Sequence, residues 1–96
     1  MRFAIHCLDG EGAVATRLSL YETHKAYLTA AERVRMVISG PLLAEDGETM
    51  IGSLFVVDAE DRAAVEAFVA ADPFQRGGVW AEVSIHRFHM RVDNRV

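Results

Sequence analysis

Residues 59–78, AEDRAAVEAFVAADPFQRGG, decide the fold of this chain. Ala64, Val65, Phe68 and Val69 fall on one side of a helical wheel, and Glu60, Arg62 and Glu66 fall on the solvated side. That pattern predicts an amphipathic helix over residues 59–71. Pro73 stops it, because a residue that precedes proline avoids the α region. Asp72 continues the buried face, so a carboxylate is aimed inward at the helix end. Gly77-Gly78 then releases the chain into a strand predicted over residues 79–92.

The remaining elements follow outward from this helix. Residues 2–8 form an apolar run that reads as a strand, closed by the loop Asp9-Gly10-Glu11-Gly12. Residues 17–33 predict a long helix with Leu20, Tyr21, His24, Tyr27, Leu28 and Ala31 on one face, together with Arg17. Residues 35–43 and 50–58 predict two strands joined at the turn signal Asp46-Gly47. Pro41 cannot donate to a ladder, so it marks an edge, a bulge or the strand's exit. The tail Asp93-Asn94-Arg95-Val96 is polar and is expected to fray.

The order β-α-β-β-α-β is the split βαβ, ferredoxin-like plan of an α+β domain. Both helices are then expected on one face of an antiparallel sheet, with the other face open. Alternation in the last strand puts Val79, Ala81, Val83 and Ile85 under the helices. Trp80, Glu82, Ser84, His86 and Phe88 then point to the open face, where Trp80 and Phe88 would make an exposed apolar patch. A homodimer closing sheet against sheet is the simplest way to cover it.

The 96 residues, 1–96, have room for one domain. A chain this size buries only roughly 60–65% of the surface its unfolded form exposes, so a dimer would also add stability. The composition, 51% hydrophobic and 25% charged, is that of a globular domain. A net charge of −4 with scattered Lys and Arg argues against a nucleic-acid partner. No apolar run approaches the about 20 residues of a membrane span, and no signal peptide is evident, so the expected location is cytoplasmic. The single cysteine, Cys7, fits a reducing compartment and sits in an apolar run as a small buried hydrophobe.

His24 lies at the centre of the first helix's apolar face, and Asp72 lies on the inward face of the second. Two polar groups on two inward faces are expected to pair, because an unpaired buried carboxylate is costly. Such a pair can be a strut between helices, or a general base with an orienting carboxylate. An Asp that accepts from one imidazole nitrogen fixes the tautomer and frees the other. A free nitrogen open to a cavity supports acid–base work; a ring buried on both sides supports the strut. Arg17 is either an anion receptor on the same stripe or a solvated residue at the helix start. Tyr21 and Tyr27 read as core or pocket wall, and Gly40-Pro41 as space for a ligand or a plain bulge. No metal motif stands out: His86 and His89 are three apart on a strand and face opposite ways, with His6 and His86 a weak alternative. No nucleophile elbow or phosphate loop is present either.

These residues, taken together, resemble the YCII-related (YciI-like) family of small bacterial proteins, nearly end to end. The resemblance rests on Arg17, His24 and Tyr27-Leu28, then Ser39-Gly40-Pro41-Leu42, Gly52-Ser53-Leu54, and Asp72-Pro73-Phe74 followed by Gly77-Gly78. It implies a dimeric α/β-barrel of ferredoxin-like subunits with a His–Asp pair, here His24 and Asp72, in a pocket. Some relatives are linked to breakdown of aromatic compounds, including removal of halide from a hydroxylated ring. The fold is also similar to that of muconolactone isomerases and small monooxygenases. Asp9-Gly10 departs from relatives that carry a longer loop with a proline there. The expected function is proton transfer by His24 and Asp72 on a small aromatic or phenolic molecule, of lyase or isomerase type, without a cofactor. Arg17, Tyr27, Ser39, Gly40, Pro41 and Phe74 are the expected substrate-binding positions. The alternative is a non-catalytic ligand-binding or interaction domain whose His–Asp pair is structural.

Overall fold

The computed structural model describes residues 1–95. Its elements are β1 (Arg2–Asp9), α1 (Val14–Ala30), β2 (Val34–Leu43), β3 (Met50–Ala59), α2 (Arg62–Ala71), α3 (Pro73–Arg76) and β4 (Trp80–Arg87). The strands form one sheet in the order β2-β3-β1-β4, and every neighbouring pair is antiparallel. This is the ferredoxin-like α+β plan, with one extra turn of helix after Asp72. Pro41 lies on β2, an edge strand, where its missing N–H costs nothing.

The core sits between the sheet and the helices. Phe3, Ile5 and Cys7 of β1 and Phe55 and Val57 of β3 alternate onto the covered face and meet Ala64, Val65, Phe68 and Val69 of α2. The Asp61 side chain caps α2 by accepting from Ala64 N–H at 2.9 Å. Helix α1 begins at Val14, three residues before the predicted start, and ends at Ala30 rather than at residue 33. Gly12, at φ 74°, turns the chain into it. Exposed Val14 and Leu18 hid that start from an apolar-face pattern.

Two bulges reset the alternation of the edge strands. In the β1–β4 pair, Cys7 faces Val83 and Leu8 faces Glu82, but Asp9 faces Trp80, so Ala81 is the extra residue. Trp80 therefore turns under the helices and is buried. The expectation that it lies on the open face is wrong, because strict alternation does not survive a bulge. In the β2–β3 pair, Met36 faces Val57 and Ile38 faces Val56, so Val37 is the extra residue. Beyond it, Ser39 faces Phe55 and Pro41 faces Ser53. The Val37 bulge thus turns Ser39 and Pro41 onto the helix-covered face.

β4 ends at Arg87, short of the predicted Val92. Phe88 N–H donates to Arg2 O at 3.0 Å, and the chain then crosses the sheet's other face. Arg2 Nη1 reaches Met90 Sδ at 3.8 Å, and Arg95 Nη1 donates to Val37 O on the far strand at 3.4 Å. Through Arg95 the tail has no regular secondary structure and its side chains from Arg91 on are exposed, and it roofs a groove of about 410 Å³ over Ala4, Ile38, Leu54 and Val56. Val96, included in the expected frayed tail, lies outside the described residues. No helix among the described residues is long and apolar enough to cross a membrane.

Candidate functional site

Arg17, Tyr21, His24 and Leu28 recur along α1 at helical spacing and form one stripe facing β2 and β3. Between that stripe and Ser39, Gly40, Pro41, Ser53 and Phe55 lies a cavity of about 250 Å³, with Lys25 at its margin. The two α1 residues that are fully buried are both polar, Arg17 and His24. Buried polar groups require partners, and the partners define the site.

His24 Nδ1 lies 2.9 Å from Asp72 Oδ1. Asp72 is 0% exposed and is fixed from its own side: it is the C-cap of α2 and the N-cap of α3, accepting from Phe74 N–H at 2.8 Å. Pro73 holds it in the extended conformation that lets one side chain face both partners. A carboxylate can only accept, so Nδ1 carries the hydrogen and the neutral ring presents its lone pair at Nε2. Nε2 makes no hydrogen bond among the described residues. It is also not sealed: the sealed, unpartnered polar side-chain atoms among the described residues are Asp72 Oδ2 and Trp80 Nε1. The imidazole stacks on Phe74, with centroids 3.9 Å apart and planes 11° apart. Trp80 packs edge-on to His24 at 6.3 Å. The ring is clamped, with one nitrogen committed and the other neither bonded nor sealed, and His24 borders the cavity.

Arg17 is held as firmly. Its Nε donates to Asp9 Oδ2 at 2.8 Å, and the two hydrogens of Nη2 are shared among Gly52 O at 2.7 Å, Ser53 Oγ at 2.6 Å and the longer contact to Asp9 Oδ1 at 3.2 Å. Its guanidinium carbon lies 4.6 Å from the centre of the Phe74 ring. Arg17 is 2% exposed, so it is not a solvated helix-start residue. Ser53 Oγ accepts from Arg17, and its own hydrogen has no acceptor among the described residues.

The expected site residues fall into two groups. Arg17, His24, Ser39, Gly40 and Pro41 line the cavity, and Asp72 stands directly behind His24. Phe74 is 0% exposed and serves as a platform beneath His24 and Arg17. Tyr27 is not in the lining: its hydroxyl donates to Phe68 O at 2.6 Å and its ring stacks on Phe68. Burial, and then the Asp72 charge, raise its phenol pKa and keep it neutral. Tyr21, expected as core or pocket wall, lines the cavity, whereas Asp9, Ser53, Lys25 and Phe55 belong to the site without having been singled out as binding groups. Asp9 follows Phe3, Ile5 and Cys7 at strand period onto the covered face, a signal the sequence did contain. Cys7 is sealed, and burial, followed by the Asp72 and Asp9 charges, pushes its thiol up to about 12. No cluster of His, Cys, Asp and Glu suited to a metal ion occurs among the described residues.

The comparisons with known proteins agree with this architecture. Protein YciI of Escherichia coli O6:H1 is 29% identical over 94 residues, spanning 92% of this chain and 96% of that protein. The 5-chloro-2-hydroxyhydroquinone dehydrochlorinase TftG of Burkholderia phenoliruptrix, solved in complex with 2,5-dihydroxybenzoquinone, superposes with a TM-score of 0.82 at 30% identity, over 93% of this chain and 94% of that one. SnoaB, a cofactor-independent oxygenase from Streptomyces nogalater, shares the fold at a TM-score of 0.54 and 15% identity, over 97% of this chain and 94% of that one. The model of the YCII-related domain matches residues 1–89, and the chain belongs to that family.

Proposed function

We propose that the chain is a small-molecule enzyme in which His24 Nε2 exchanges a proton with a hydroxylated aromatic ring and Asp72 orients the imidazole. The observation that carries this reading is the asymmetry of His24. One nitrogen is fixed by a sealed carboxylate at 2.9 Å, and the ring otherwise borders a cavity. A strut would gain nothing from leaving the second nitrogen open. The cavity of about 250 Å³ suits a single substituted ring.

Lyase or isomerase chemistry fits this pair, because such reactions turn on proton transfer alone. In a loss of HX, Nε2 takes the proton of a ring hydroxyl. The oxygen becomes a carbonyl as that proton returns to the ring carbon that carries the halogen; a second hydroxyl then gives up its proton while halide leaves with the electrons of the carbon–halogen bond, so a quinone and HX result. The step is balanced without an added oxidant or reductant. TftG, a dehydrochlorinase of a hydroxylated ring, gives that class its support. A reducing cytoplasm suits a lone, sealed thiol, and pairing of two copies through the open sheet face is the proposed assembly. Exposed Ile38 and Phe88 remain on or beside that face, and the tail would lie between the two sheets.

The test is chloride release from a chlorinated hydroxyhydroquinone by wild type and by His24→Ala. Release by wild type that is lost in a folded His24→Ala protein supports the assignment. Equal release by both proteins rules it out.

A further inference from the structure

Arg17 on the wall of a cavity suggests an anion receptor, but its surroundings say otherwise. The Asp9 carboxylate takes two of its N–H groups at 2.8 and 3.2 Å, and the side chains of this pair are 2% and 6% exposed. A buried, two-point pair cancels its own charge. The other cation at the cavity, Lys25, is half exposed and has Glu22 at 3.5 Å. Asp72 adds a carboxylate behind His24. The buried cation of the cavity wall is therefore paired, and Lys25, in an exposed contact with Glu22, is the cation left at the margin.

Arg17 has a second use. Its Nη2 donates to Ser53 Oγ at 2.6 Å. An oxygen that already accepts from a guanidinium is a stronger donor through its own hydrogen, and that hydrogen has no protein acceptor among the described residues. Ser53 borders the cavity opposite the α1 stripe that carries His24. We infer that Ser53, polarised by an Arg17 whose charge Asp9 cancels, is the donor that holds an uncharged hydroxyl or keto oxygen of the ligand, and that the site prefers such an oxygen to a carboxylate. This rests on the proposed small-molecule site for its location, but not on the acid–base role of His24.

The probes are hydroquinone and benzoate, rings of similar size that differ in charge, with affinity measured by calorimetry. Wild type is expected to bind hydroquinone at least about tenfold more tightly than benzoate. Loss of one neutral hydrogen bond in Ser53→Ala is expected to weaken hydroquinone binding about tenfold and leave benzoate unchanged. In Ser53→Ala, Arg17 Nη2 retains Gly52 O and Asp9, so the fold should persist; Ser53→Cys, a weaker donor of similar volume, gives an intermediate loss. Asp9→Asn uncovers the Arg17 charge, and benzoate should gain about tenfold. Benzoate binding as tight as hydroquinone in wild type, unaltered hydroquinone affinity in Ser53→Ala, or no hydroquinone binding at millimolar concentration would each overturn the inference. His24→Ala separates the two claims. Turnover that persists in it removes the acid–base role, whereas the Ser53 dependence of binding must survive in it.

Discussion

Asp72 holds two partners at once, and two substitutions probe that hold. Its Oδ1 caps α3 through Phe74 N–H and fixes His24 Nδ1. Asp72→Ala removes both bonds in a fully buried place. Loss of the cap costs about 1 kcal/mol, and leaving the Nδ1 hydrogen without an acceptor costs about 1–3 kcal/mol more. For a domain of this size 1 kcal/mol moves Tm by roughly 4–8 °C, so the expected fall is on the order of 10–30 °C. Asp72→Asn keeps an oxygen that serves both donors and puts an amide where the carboxylate already has an unpartnered oxygen, Oδ2. Its cost is the charge on the hydrogen bond, about 1 kcal/mol, or roughly 4–8 °C. Thermal denaturation followed by circular dichroism, at one protein concentration for all variants, reads the difference. Equal destabilisation by Asn and Ala would refute the argument, because it would mean that the bonds at Oδ1 are not what hold the α2–α3 junction. Turnover adds a separate reading. With its oxygen still accepting from Nδ1, Asp72→Asn keeps the tautomer but removes the negative charge that stabilises the imidazolium formed when Nε2 takes a proton, so activity should fall by about a hundredfold or more while the protein remains folded.

Other consequences are independent of that pair. Cys7 should resist alkylation: a thiol pushed up to about 12 from 9.0, with 0% exposure, has roughly a thousandth of the ordinary thiolate at neutral pH. Labelling of the native protein at the rate of a free thiol would contradict this. Gly52→Ala should be severely destabilising, by about 2 kcal/mol or more, because a Cβ there meets the Cys7 carbonyl across the β1–β3 pair and the Leu42 side chain at 3.0 Å; soluble expression and the denaturation midpoint measure it. Trp80, the one tryptophan of the chain, should emit as a buried indole and resist acrylamide quenching. Free quenching would restore it to the open face.

Much of the fold was legible because apolar period and helix punctuation agree along most of the chain. The α2 stripe of Val65, Phe68 and Val69, the stop at Pro73 and the alternation of Phe3, Ile5 and Cys7 each state one local answer, and those answers are mutually consistent. The errors cluster where the answer is not local. A bulge is a property of two strands: nothing in Trp80-Ala81-Glu82 shows that Asp9 will pair with Trp80 and leave Ala81 over. The same holds for Val37, which reverses the facing of every β2 residue after it. The tail's path over the sheet depends on Val37 O and Arg2 O, acceptors supplied by other elements.

The site divides along the same line. His24 and Asp72 were readable as inward polar residues because each interrupts an apolar stripe, and a buried carboxylate must be answered. Arg17 also lies on that stripe, but its partners come from β1 and β3, and an arginine at a helix start is ordinarily solvated. The decisive neighbour was Asp9, which looked like a loop residue beside Gly10. It is instead the fourth member of an inward series, and the only one that is charged. A carboxylate ending an apolar alternation carries the same message as a carboxylate ending an apolar helix stripe: a cation or a donor must meet it in the core. Applied to both acidic termini, that rule places Asp9 with Arg17 and Asp72 with His24. One cavity is thus bordered by two polar groups, His24 with Asp72 behind it and Ser53 with Arg17 behind it.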